Sequence, residues 1–159
     1  MKKLFIPNTS KLSFKPSYPL LVSMVIVILV GMAACGKNSS VRFKQYYVHG
    51  QQLYTKHCSN CHQVDGSGLR RVYPPLNTSD YMEKHFDEVV CMIRYGKSGE
   101  MFVNGKEYNH PMYGVSSLTD IEVAEITTYI YNTWTHERGL LEVKDASAIL
   151  AACSIPEKK

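Results

Sequence analysis

Read for its apolar periodicity, the chain offers four amphipathic segments behind a continuous apolar run. Phe43, Tyr47, Gly50 and Tyr54 recur at steps of four, three and four, one face of a helix over 41–57. Phe86, Val89, Val90 and Ile93 mark a second helix, about 87–95, with Gly96 as its C-cap. Thr119-Asp120-Ile121-Glu122 spells a capping box, and Leu118 and Val123 suit the hydrophobic staple across it. Val123, Ile126, Ile130 and Trp134 continue that face. Beyond Gly139, Val143, Ala146, Leu150 and Cys153 share the face of a last helix. Few segments suit a sheet, so the fold class expected is all-α.

The apolar run Leu20–Ala34 is 15 residues long, short of the ~20 a membrane-spanning helix needs, and suits the apolar region of a signal peptide. It ends in Met32-Ala33-Ala34-Cys35-Gly36. Small residues before a cysteine resemble the cleavage box of bacterial lipoproteins, which implies acylation of Cys35 and an anchor in a membrane. Met32 departs from the leucine usual at that place, and the basic segment before the run is long. An uncleaved anchor and ordinary secretion are the other readings. All three put the folded part outside the cytoplasm, on the periplasmic side of a bacterial membrane. The expected organisation is a signal peptide over 1–34, a lipidated N-terminus and linker over 35–40, the main domain over 41–136 and a helical extension over 137–159.

Charge changes this picture little. The net charge is +4, with Lys2, Lys3, Lys11 and Lys15 ahead of the apolar run; the other 14 basic residues match the 14 acidic ones. A formally neutral body carries no clustered basic stripe of the kind nucleic acid selects.

The chemistry lies in Cys58-Ser59-Asn60-Cys61-His62. Two thiols at this spacing followed by histidine are the attachment pattern of c-type haem: the sulfurs add across the vinyl groups and His62 is placed to ligate iron. A thioredoxin-like pair would follow a strand, and no strand-period run precedes Cys58. A zinc site would need further soft ligands at matched spacing, and Cys91 and Cys153 are isolated.

From about Val41 to Trp134 the chain resembles a small monohaem cytochrome c with histidine–methionine ligation. Gly50-x-x-x-Tyr54 is similar to the first-helix motif of that family, where the glycine lets the first helix cross an aromatic residue of the last, here Tyr129. Tyr73-Pro74-Pro75-Leu76, followed by Ser79-Asp80-Tyr81, is similar to the loop after the haem motif. The resemblance implies that the Pro74 carbonyl accepts a hydrogen bond from His62, and that Leu76 packs on the ring. It implies one covalent haem c wrapped by helices, with an added C-terminal helix beyond the family's core. It also implies a distal methionine just before the last helix, where Asn109-His110-Pro111-Met112 stands, so Met112 is the sixth ligand expected. His110 is the rival; Met92 reads as a buried helix residue and Met101 as a loop residue. The proline precedes the methionine here, whereas the family usually has it after.

Histidine and methionine together leave the iron six-coordinate, which suits a carrier of single electrons between redox proteins rather than an enzyme. An open distal position would instead suit a haem peroxidase or gas-binding protein, and a fixed relay subunit of a larger oxidoreductase complex is a third reading. Cys91 and Cys153, left over on helices in an oxidising compartment, are candidates for a disulfide. His49, His57, His85 and His136 read as surface or hydrogen-bonded residues, and Arg70 and Arg71 as either propionate partners or a solvated pair.

Overall fold

The computed structural model describes residues 39–154, together with residues 18, 19, 22 and 23. The remainder of the apolar run, Cys35 and residues 36–38 lie outside the described residues. No helix among those described is long and apolar enough to cross a membrane.

Within residues 39–154, six helices and one hairpin follow in order: α1 (Ser39–His57), α2 (Ser59–His62), α3 (Asp80–Lys84), α4 (Phe86–Tyr95), β1 (Met101–Val103), β2 (Lys106–Tyr108), α5 (Asp120–Ile130) and α6 (Val143–Ala152). The fold is the mostly helical one that the periodicity predicts. The small antiparallel sheet, with Met101 opposite Tyr108, departs from a purely helical reading and places Met101 on a strand. Its cause is local: Asn104-Gly105, both at positive φ, is the dipeptide that a tight hairpin turn prefers.

The last long helix begins as the capping box predicts, with the Thr119 side chain accepting from the Glu122 amide and the Glu122 carboxylate accepting from the Thr119 amide. It ends earlier than the apolar steps suggest. Asn132 and Thr133 turn their side chains back onto the carbonyls of Thr128 and Tyr129, and such local bonds compete with continued helix. Trp134 therefore sits beyond α5, yet it still packs edge-on against Tyr54, 5.7 Å between ring centres.

The crossing of α1 over α5 organises the core. At Gly50 the helices approach so closely that a Cβ would stand 2.0 Å from the Glu125 carbonyl oxygen and 2.8 Å from the Tyr129 Cβ. Around that point Tyr47, Tyr54 and Tyr129 interlock, with ring centres 5.2 and 5.4 Å apart, and Val90, Val123 and Ile126 complete the buried centre.

Close approach also buries the Glu125 side chain. Desolvation holds its carboxyl above the usual range, an effect that His49, with Nδ1 at 3.2 Å, offsets only in part. A carboxyl raised in this way binds more protons folded than unfolded, so its contribution to stability is lost as pH rises through its folded-state titration. Glu125→Gln is therefore expected to melt higher than the parent at neutral pH. The advantage should vanish below ~pH 4, where the carboxyl is protonated in both states; calorimetry across that range checks it.

The C-terminal helix α6 packs on α4 and α5 through Ala146 and Leu150, within the same compact unit as the rest of 39–154. Two links tie it down. Asp120 at the start of α5 accepts from Arg94 on α4 and from Ser147 on α6, and Cys153, capping α6, is bridged to Cys91 on α4 with 5.8 Å between Cα atoms. The bridge closes a sequence separation of 62, so replacing both cysteines by alanine is expected to cost ~2–4 kcal/mol. A lower urea midpoint with unchanged haem absorption is the result to look for.

Candidate haem site

α1 delivers the motif directly. Its last turn hands over at Cys58, whose amide bonds to the Tyr54 carbonyl, and the single turn of α2 carries Cys61 and His62. The Tyr54 hydroxyl donates to the Gln63 carbonyl at 2.6 Å and so clamps the end of the motif to α1. Gln63, at φ 63°, then turns the chain away.

His62 is buried, and its Nδ1 lies 3.1 Å from the Pro74 carbonyl oxygen. A carbonyl only accepts, so Nδ1 carries the proton and Nε2 keeps its lone pair. Burial lowers the pKa of the ring, outweighing the opposing pull of the Pro74 carbonyl, and so favours the neutral imidazole that ligates metals. Pro74 is held in turn by its loop, where the amides of Leu76 and Asn77 both bond to the Gly66 carbonyl and Leu69 pairs with Tyr73.

Opposite chain segments are held by backbone rather than side chains. Met112 exchanges two backbone hydrogen bonds with Lys97, each 2.9 Å, and the Val115 amide bonds to the Ile93 carbonyl at the end of α4. Gly96 and Gly114 make this contact close: a Cβ on Gly114 would stand 2.3 Å from the Gly96 nitrogen and 2.4 Å from the Arg94 carbonyl oxygen. Gly96 thus caps α4, as its position predicts, and also seats the Met112 segment. Gly114 was not legible as a site residue, because its partner stands 18 positions earlier in the chain.

These segments enclose one cavity of about 270 Å³. Cys58, Cys61, His62, Pro74, Leu76 and Met112 all line it, and the walls between them come from apolar side chains such as Val89, Ile93, Ile126 and Ile130. His110, Met92 and Met101 line it too. Tyr73 and His110 meet edge-on at its exposed side, 5.1 Å between ring centres, a pairing with no local sequence signal. Arg70 and Arg71 are exposed and do not line the cavity. His85 lies 3.6 Å from Glu88, His57 lines the cavity, and His136 is buried and bonded at both nitrogens.

Cys58 and Cys61 are not bridged to each other. Burial, helped by the neighbouring Cys61, pushes the Cys58 thiol up to about 12, so it stays protonated at neutral pH. The neighbouring Cys61 thiol raises the Tyr73 phenol. An apolar cavity with two thiols at its edge, a neutral imidazole with a free Nε2 and a thioether in its wall fits a covalent haem.

The family model for cytochrome c matches residues 47–134. The chain belongs to the cytochrome c family. Members bind haem c covalently, and the cavity of this cytochrome c has the donor set that such binding needs. It is similar to cytochrome c-552 of Thermus thermophilus, 29% identical over 89 residues, which span 54% of this chain and 67% of that protein. A second cytochrome c-552, from a named strain of the same organism, is 29% identical over 89 residues that span 60% of its length. The match leaves out α6, which this cytochrome adds after residue 134.

Proposed function

We propose that this cytochrome c is a monohaem electron carrier with haem attached at Cys58 and Cys61 and iron held by His62 and Met112. The observation that carries the reading is the shared cavity: both thiols, an imidazole fixed by Pro74 and a methionine fixed by its backbone line one apolar space. When bound, the haem supplies a one-electron ferric–ferrous couple. The residues around it do the rest. Cys58 and Cys61 would hold the haem through thioethers, each thiol hydrogen going to the vinyl carbon beside the new bond, so no oxidant would be consumed. His62 presents Nε2 while Pro74 fixes the plane of its ring. The Met112 thioether, a soft and weak donor, would favour ferrous iron and raise the potential. The apolar walls keep water from the iron.

The proposed setting is outside the cytoplasm, tethered by acylated Cys35, with the cytochrome passing single electrons from a membrane donor to an oxidase or reductase. The Lys-bearing start, the apolar run and the small residues before Cys35 support that setting.

Optical spectra of the purified holoprotein test the carrier reading. A narrow reduced band, a weak far-red band when oxidised and no shift of the reduced spectrum with carbon monoxide are expected. A large shift with carbon monoxide and no far-red band would overturn it in favour of peroxide or gas chemistry at an open iron.

A further inference from the structure

One buried histidine has no part in the function just proposed. His136 follows α5 in a segment that straps the loop carrying Pro74 and Leu76. In that strap Thr135 donates to the Asn77 carbonyl and the Trp134 ring lies against Gly66. His136 is only 4% exposed; its Nε2 lies 2.9 Å from the Leu76 carbonyl oxygen, and its Nδ1 faces the Glu83 carboxylate on α3.

Both partners are acceptors. A backbone carbonyl never donates, and an ionised carboxylate has no proton to give. A neutral ring has one N–H and would leave a lone pair facing an oxygen at the other nitrogen. The geometry is satisfied only when the His136–Glu83 pair keeps one extra proton between Nδ1 and the carboxylate. Because the ring is buried, losing that proton leaves an uncompensated carboxylate beside a lone pair, while Glu83 itself still reaches water.

Other charged and titratable groups are few around it. Tyr131, its ring 5.7 Å away, donates its hydroxyl to the Met82 carbonyl and is kept protonated by burial. Asp87 on α4 and Arg138 act on that same tyrosine with opposite sign, and Arg138 stacks over Phe86 at 3.7 Å. Glu137 points to solvent.

The Leu76 carbonyl that His136 holds belongs to a residue lining the cavity, so this proton sits directly behind the wall. We propose that the His136–Glu83 pair is a redox-linked proton site: it holds its proton when the iron is ferrous and gives it up more readily when the iron is ferric. The electron leaves to the redox partner protein and the proton leaves through Glu83 to water, so charge on the molecule changes less than the electron alone would change it. Linkage is reciprocal: a group that releases its proton more easily on oxidation makes the reduction potential fall as pH rises through its titration. The inference rests on the haem-carrier reading above and on no particular sixth ligand.

The test is the reduction potential of the holoprotein measured spectroelectrochemically from ~pH 5 to 9, the range in which imidazoles exchange protons, for the parent, His136→Gln and Glu83→Gln. The parent should fall by up to tenfold in the redox equilibrium per pH unit, ~59 mV for one electron, across part of that range. His136→Gln keeps a donor for Leu76 but no titrating ring, so its potential should be level there. Glu83→Gln, at a half-exposed site that tolerates change, should move the fall to lower pH because the carboxylate no longer holds the proton. A fall that persists in His136→Gln, or one that keeps its pH position in Glu83→Gln, overturns the proposal, as does a level parent. If His136→Gln does not fold, the direction of the Glu83→Gln shift decides. A far-red band that is missing, with carbon monoxide binding, would defeat Met112 ligation while leaving these slopes measurable; a protein that takes up no electron would defeat the carrier reading itself.

Discussion

Met112→Ala is expected to give a holoprotein that has lost the far-red band, binds carbon monoxide when reduced and has a potential lower by roughly 0.1–0.3 V, part of the ~0.8 V over which axial ligands set haem potentials. The proposed role of Met112 gives all three effects one cause. Without the thioether the iron has an open or water-filled position, and the soft donor that favoured the ferrous state is gone. Little else should change, because the segment around residue 112 is held by the backbone bonds to Lys97 and by the Gly96–Gly114 contact, none of which uses the methionine side chain. His110→Ala is the matching control. His110 lines the same cavity but sits at its exposed side against Tyr73, and its loss should leave the three readouts where they were. A far-red band that survives in Met112→Ala would transfer the ligand role to Met82, Met92 or Met101, the other methionines in the cavity wall.

The second large effect is expected at a residue with no side chain. Gly50→Val should cost ~4 kcal/mol or more, beyond the ~1–3 kcal/mol typical of overpacking. The obstacle is backbone: the new Cβ would stand 2.0 Å from the Glu125 carbonyl oxygen and 2.6 Å from its carbon, and neither can swing aside as a side-chain tip can. Relief requires α1 and α5 to part, which opens the Tyr47–Tyr129–Tyr54 contacts and moves the helix that presents Cys58. Urea unfolding followed by circular dichroism should show the loss, and haem incorporation during expression should drop with it. A midpoint close to the parent's would mean that the crossing is softer than its geometry.

Much of this architecture is written in short stretches of chain. The capping box at Thr119, the glycine after α4 and the four-and-three steps of α1 depend on residues within a turn or two of each other, so they can be read in order. The haem motif is equally local, since the covalent geometry of the cofactor dictates its spacing. What escaped is of two kinds. The 101–108 hairpin had a local signal in Asn104-Gly105, but its strands are too short to show an alternating pattern. The end of α5 was misplaced because Trp134 keeps the helical step while leaving the helix: a neighbour in space, Tyr54, preserves its burial. Contacts such as Gly114 with Gly96, or His136 with Leu76 and Glu83, join positions 18 to 60 apart, and no periodicity announces them. The loop role of Pro74 was legible only through family resemblance, since a proline pair by itself is simply a stiff turn.

The bridge between Cys91 and Cys153 has a bearing on how the molecule is made. On the proposed function the chain carries two cysteine pairs that need opposite treatment: one must be oxidised, the other must meet the cofactor as thiols. Cys58 and Cys61, two residues apart, are much the easier pair to oxidise in an extended chain, because closing so small a ring costs little entropy. The distant pair comes within bonding range only when α6 has docked on α4, the helix that forms part of the cavity wall. The far pair therefore closes last, as a latch on a fold already assembled.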